Sequence, residues 1–130
     1  MISIRTILVD DNPKFLDAAS RFLTSDPNIE IIATSLSGED AIDLVGELCP
    51  DLVLMDIAMP GMSGLEATRK IKDLPEPPSV IILTLHDNDE YRNASLAVRA
   101  DDFVAKSDFG NELLTKIYEL FEERVAIASQ

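Results

Sequence analysis

Five short β-rich apolar runs, each followed by a longer stretch with helical spacing, leave this chain little choice of architecture. The runs are Ile7-Leu8-Val9, Ile29-Glu30-Ile31-Ile32, Leu52-Val53-Leu54-Met55, Val80-Ile81-Ile82-Leu83 and Phe103-Val104-Ala105. The third and fourth carry no polar residue, as expected of parallel strands covered on both faces. Pro13 stands in the first turn of the first helix, behind the N-cap candidate Asn12, with Phe15, Leu16, Ala19, Phe22 and Leu23 on one face. Ser37 opens a second helix bearing Ala41, Leu44, Val45 and Leu48. Ser63 and Glu66 form a capping box before a third, with Leu65, Thr68 and Ile71 inward. Asp87 and Glu90 repeat that spacing for a fourth. The fifth turns Leu113, Leu114, Ile117, Leu120 and Phe121 inward and Glu119, Glu122 and Glu123 outward. Strand–helix alternation of this kind predicts an α/β domain: a (βα)5 doubly wound five-stranded parallel sheet with right-handed crossovers and helices on both faces. A length of 130 residues suits one such domain, and Leu74-Pro75-Glu76-Pro77-Pro78 reads as a rigid connector within it.

In open α/β sheets ligands bind at the carboxyl ends of the strands, so the residues that directly follow each strand carry the argument. Asp10 and Asp11 follow the first, Asp56 the third, Thr84 the fourth and Lys106 the fifth; the end of the second, Thr34-Ser35, offers no charge. Each has an ordinary explanation alone. Asp11 or Asn12 could cap a helix, Thr84 could be a strand-end hydroxyl, and Lys106 a solvated loop charge. Together they repel: two unit charges about 4 Å apart cost about 4 kcal/mol at an effective dielectric of about 20. One lysine cannot neutralise three acids, whereas a hard divalent ion with oxygen ligands, such as Mg²⁺, can. Carboxylates that hold Mg²⁺ beside lysine and threonine donors make a phosphoryl-transfer site.

Composition removes the competing classes. A single His86 and a single Cys49 exclude a multi-histidine zinc site, an internal disulfide and a CxxC knuckle. The 24 acidic against 11 basic residues leave a net charge of −13, which opposes direct binding to nucleic acid or to an anionic membrane. No apolar run approaches the roughly 18 residues of a transmembrane helix. Ile7-Leu8-Val9 stops at Asp10-Asp11, which a signal peptide would not tolerate, so the expected location is cytoplasmic. Cys49, before Pro50, reads as a small apolar filler and His86 as a residue at a helix start. Tyr91 stays open between a partner contact and ordinary packing.

The motifs Leu8-Val9-Asp10-Asp11-Asn12-Pro13, Asp56-Ile57-Ala58-Met59-Pro60-Gly61-Met62-Ser63-Gly64, Leu83-Thr84 and Phe103-Val104-Ala105-Lys106 resemble those of a response-regulator receiver domain of two-component systems. The spacings agree: 45 residues from Asp11 to Asp56, 28 to Thr84 and 22 more to Lys106. Asp11-Asn12-Pro13 and Leu85-His86-Asp87 are most similar to receivers that precede a LuxR-type helix-turn-helix domain. The resemblance runs over essentially the whole chain and implies a single receiver domain over 1–130, with its core at roughly 5–123. It also implies a flavodoxin-like strand order, 2-1-3-4-5.

The resemblance further implies a role for each residue. Asp56 would be the phosphoacceptor, taking its phosphoryl group from a sensor histidine kinase. Asp11, Asp56 and the backbone carbonyl of Ala58 would ligate Mg²⁺ directly, and Asp10 through water. Lys106 would pair with the phosphoryl group and Thr84 would swing toward it. Phe103 would follow inward, switching the face made by the fourth helix, fifth strand and fifth helix. That face would then act on an output domain or partner protein, with transcription as the expected output, and could form a homodimer on phosphorylation. Ala58 and His86 would flank the path of the hydrolytic water. Such a chain is a signalling switch rather than an enzyme acting on other substrates. Two alternatives stand beside it. A haloacid-dehalogenase-type phosphohydrolase needs a second acid where Ala58 stands. A degenerate receiver would serve as a phosphorylation-independent interaction module. Three departures from the family pattern bear on the switch: Arg99 in place of a left-handed glycine, Ser107 in place of a proline, and Phe103 in place of a tyrosine. The run Val125 to Gln130 does not resemble a DNA-binding domain, which fits either a stand-alone regulator or a receiver excised from a longer transcription factor.

Overall fold

A computed structural model describes residues 2–124, and the run 125–130 lies outside them. Strands β1 (Ile4–Val9), β2 (Ile29–Ser35), β3 (Leu52–Asp56), β4 (Ser79–Thr84) and β5 (Asp102–Ala105) alternate with helices α1 (Pro13–Thr24), α2 (Gly38–Leu48), α3 (Gly64–Lys72), α4 (Asp89–Ala97) and α5 (Phe109–Leu120). All strand pairs are parallel, in the order β2-β1-β3-β4-β5. This is the expected flavodoxin-like sheet.

The period-two alternation of the strands divides the interior into two cores. Ile4, Leu8, Leu52, Leu54, Ile81, Leu83 and Val104 face Leu16, Ala19 and Leu23 of α1 and Leu113 and Ile117 of α5. Ile7, Val9, Val53, Met55, Val80, Ile82 and Phe103 face Ala41 and Val45 of α2 and Ala67 and Ile71 of α3. Helix α4 is the lightly held element: Ser95 is its one buried residue, and Leu96 is 71% exposed.

Most caps fall where the sequence places them. Asn12 accepts from the Lys14 and Phe15 amides, Ser37 from Asp40 and Ser63 from Glu66. The start of α4 differs. Asn88, not Asp87, is its N-cap, accepting from the Tyr91 amide at 2.9 Å, while Asp87 pairs with Arg92. An S-x-x-E-like spacing one residue away was the misleading signal, since asparagine caps as well as aspartate.

Among the described residues two non-glycines adopt left-handed backbone. Cys49 (φ 48°) ends α2, its amide donating to the Val45 carbonyl, and it is exposed rather than an apolar filler. Pro50 explains why the helix stops here, because the residue before a proline is disfavoured in the right-handed helical region; the left-handed turn at Cys49 then closes the helix end. Arg99 (φ 68°) ends α4 in a Schellman turn, with Arg99 N–H donating to Leu96 O and Ala100 N–H to Ser95 O. Arginine therefore takes the glycine geometry at a cost of about 1–2 kcal/mol, offset in part by its guanidinium reaching Asp73. No cis peptide bond occurs among the described residues, and Ser107 lies in a 3-10 turn, Lys106–Asp108, that leads directly into α5.

Candidate functional site

Strand register brings the charged residues together. Val9 pairs with Met55, Asp56 with Leu83 and Thr84 with Ala105, so Asp10, Asp56, Thr84 and Lys106 emerge at one rim. Asp10, Asp56 and Thr84 are buried, and Asp11 is exposed. Carboxylate oxygens of Asp10, Asp11 and Asp56 all lie within 4.8 Å of one another. A cleft of about 130 Å³ opens over them, bordered also by Ala58, Thr84, His86 and Lys106.

The loop after β3 is pressed into place by Gly64. A Cβ there would stand 1.8 Å from the Asp56 carbonyl oxygen, and the Gly64 amide donates to Ile57 O at 2.9 Å. The glycine of the D-x-x-M-P-x-x-x-G motif is thus required by the close approach of α3 to the backbone of Asp56.

Lys106 Nζ lies 2.5 Å from Asp10 Oδ2 and 3.3 Å from Asp56 Oδ1. Asp10 Oδ1 accepts the Asn12 amide at 2.9 Å. Both oxygens of Asp10 are therefore engaged, whereas Asp56 keeps one oxygen free of Lys106. Burial, with Asp10 and then Asp11 adding repulsion against the pull of Lys106, pushes the Asp56 carboxyl up to about 6. Three carboxylates against one ammonium, all with hard oxygen donors, suit a divalent cation such as Mg²⁺.

Thr84 Oγ1 accepts the His86 amide at 3.1 Å, and its own proton remains available for donation. Phe103 is already buried, with the Arg92 guanidinium 4.7 Å from its ring centroid. His86 stacks on Tyr91 at 5.4 Å, and Tyr91 is half-buried against the α2/α3 core, which favours packing for that residue. Two neighbours were not singled out in the sequence for this site. Phe15 covers Lys106, with Nζ 4.3 Å from the ring centroid, and Arg92 covers Phe103. The sequence shows Phe15 only as a member of a helix face and gives no signal for Arg92, because a cation–π contact leaves no motif in the chain.

The sequence profile of the family described as "Response regulator receiver domain" matches residues 6–118. The chain belongs to the response-regulator receiver family. "Transcriptional regulatory protein DegU" of Brevibacillus brevis is 32% identical over 88% of this receiver and 48% of that protein. "Response regulator GacA" of Pseudomonas aeruginosa is 30% identical over 98% of this receiver and 59% of that protein. The receiver spans about half the length of the curated relatives it matches. Among solved structures, a "two-component response regulator, LuxR family, from Aurantimonas sp. SI85-9A1" superposes with a TM-score of 0.88 at 29% identity, covering 93% of this receiver and 86% of that chain. The receiver is thus similar to LuxR-family response regulators, and receivers of this kind are signalling switches of two-component systems. Among its described residues no helix is long and apolar enough to cross a membrane.

Proposed function

We propose that Asp56 accepts a phosphoryl group from a sensor histidine kinase. The observation that carries this reading is the convergence of three carboxylates within 4.8 Å against the single ammonium of Lys106. In the transfer, a carboxylate oxygen of Asp56 bonds to phosphorus as the phosphorus–nitrogen bond of the phosphohistidine breaks; the imidazole keeps the electron pair and takes up a proton. Lys106 then pairs with a phosphoryl oxygen, and the Thr84 hydroxyl donates to another. Asp11, Asp56 and the Ala58 carbonyl would hold Mg²⁺, with Asp10, whose oxygens already accept from Lys106 and the Asn12 amide, contributing through water as the family resemblance implies. Bound Mg²⁺ supplies positive charge against the incoming phosphate.

Thr84 and Phe103 lie on adjacent strands, β4 and β5, and couple the site to the face of α4, β5 and α5. That face, with the lightly packed α4, would signal to an output domain or partner, with transcription as the output and a homodimer as one form of the signal. The working unit is a single receiver domain, at roughly 5–123 and in the cytoplasm, that acts as a switch and not as an enzyme on other substrates. The left-handed turn kept at Arg99 weighs against a degenerate interaction module, since the departure that favoured it leaves the fold intact.

Acetyl phosphate with Mg²⁺ should add one acid-labile phosphoryl group, read by intact-mass spectrometry. Labelling should vanish in Asp56→Asn and in EDTA. Equal labelling of Asp56→Asn would overturn the assignment.

A further inference from the structure

We propose that Phe15 is a positioning residue for Lys106, its ring face holding the ammonium at the Asp10–Asp56 pair where a phosphoryl oxygen must be met. The inference rests on the reading of Asp56 as phosphoacceptor.

Lysine carries its charge on a flexible four-carbon stem, so backbone placement alone does not aim it. Lys106 leaves the end of β5 and must cross toward β1, yet its side chain is only 11% exposed. Two carboxylates draw the ammonium from one direction. The ring of Phe15 closes another, with its centroid 4.3 Å from Nζ, where the negative face of an aromatic attracts a cation.

Phe15 is itself held on two sides. Its amide donates to Asn12 Oδ1, and the amide of Asn12 donates to Asp10. One six-residue segment, 10–15, thus carries both the carboxylate that binds Lys106 and the ring that covers it. On the other side Phe109 meets Phe15 edge-on, at 5.6 Å and 74°, and Phe22 backs Phe109 at 5.1 Å. Phe109 comes three residues after Lys106, across the 3-10 turn, so the lysine and the brace of its aromatic cover travel together. Leu16, Ala19 and Leu23 fill the core beneath α1. Phe15 and Phe22 are only partly buried against that core, so Phe15 does not have to be aromatic to anchor the helix.

The test compares Phe15→Leu, which keeps an apolar side chain without a π face, with Phe15→Tyr, which keeps the face. Labelling of Asp56 by acetyl phosphate in Mg²⁺ buffer should slow about three- to fivefold in Phe15→Leu and return to near the parent rate in Phe15→Tyr. The thermal midpoints of the variants check that both are folded. NMR gives a readout that needs no phosphorylation: the Lys106 Hε resonances should be shifted upfield by the ring current in the parent and in Phe15→Tyr, and not in Phe15→Leu. An unlabelled parent that shows this shift would remove the phosphoacceptor reading while leaving the Phe15–Lys106 contact standing. Absence of the shift in the parent, equal labelling rates in parent and Phe15→Leu, or failure of Phe15→Tyr to restore the rate would each overturn the positioning role.

Discussion

The two rims of the sheet treat charge in opposite ways. At the amino-terminal rim acids are matched to partners. Asp51 accepts the Arg5 amide and pairs with Arg124. Asp101 accepts Lys72 Nζ at 2.5 Å and the Val80 amide at 2.7 Å, and Asp73 pairs with Arg99. At the carboxyl-terminal rim Asp10, Asp11 and Asp56 share one lysine, and burial and repulsion lift the Asp56 carboxyl to about 6. The first rim spends its charges on stability, tying loops and helix ends to strand starts. The second holds negative charge in excess and is stabilised by whatever cation enters it. Charge of the same sign therefore means different things according to the end of the strand from which it projects.

Removing the charge at the strained rim should give the largest effect. The difference between 3.8 and about 6 for Asp56 amounts to about 3 kcal/mol of folding free energy. The sign follows from which state binds the proton. The folded carboxyl holds its proton to higher pH than the unfolded one, so stability is greatest below about pH 4 and is lost as pH rises through about 6. Asp56→Asn should accordingly raise stability at pH 7 in EDTA by up to about 3 kcal/mol, with the gain disappearing toward pH 4. Urea unfolding across pH reads it directly. A destabilised Asp56→Asn at pH 7 would mean that this carboxylate is as well matched as those of the opposite rim.

The opposite rim should answer with the opposite sign. Asp101→Ala leaves the Val80 amide without its partner and Lys72 with only the Pro78 carbonyl, a loss of about 2 kcal/mol, seen as a lower urea midpoint in the same buffer. Asp101→Asn, whose amide oxygen can still accept, should lose less. If Asp101→Ala is neutral, the pairing at this rim is decorative and the contrast collapses.

The smallest effect is expected at Arg99, where one gain and two losses nearly cancel. Glycine relieves about 1–2 kcal/mol of left-handed strain. It also gives up the exposed Asp73 pair, worth at most about 1 kcal/mol, and loosens the unfolded chain by about 0.4–1 kcal/mol. Arg99→Gly should therefore lie within about 1 kcal/mol of the parent, measured by thermal or urea unfolding. A larger loss would show that Arg99 anchors the end of α4 to α3 more firmly than an exposed ion pair can.

Much of this was legible in the chain, for reasons of range. Apolar runs such as Leu52–Met55, and caps such as Asn12 and Ser63, depend on neighbours a few residues away, so their pattern survives in one dimension. The rim residues Asp10, Asp56, Thr84 and Lys106 were legible as well. Parallel strands deliver their carboxyl ends to one side, and chain order alone then says which residues arrive there. The amino-terminal half of β1 was less clear, because Arg5 and Thr6 interrupt the apolar run. The sheet accepts them since the Arg5 backbone bonds Asp51 and its guanidinium reaches Cys49 O. The cap of α4 lies one residue beyond the Asp87–Glu90 spacing, and Cys49 is exposed and left-handed where the sequence predicts a small apolar filler.

By itself the sequence determined the fold class, the rim constellation and the family, because these follow from periodicity, from order along the chain and from motifs at set spacing. Tertiary structure alone decided which oxygen of Asp10 holds Lys106, how far the Asp56 carboxyl is lifted, that Arg99 accepts a left-handed turn, and that Phe15 covers Lys106 from ninety-one residues away. Each of those depends on distances between segments remote in the chain. Electrostatic and cation–π energies change steeply over a few ångströms, and no local pattern records such distances.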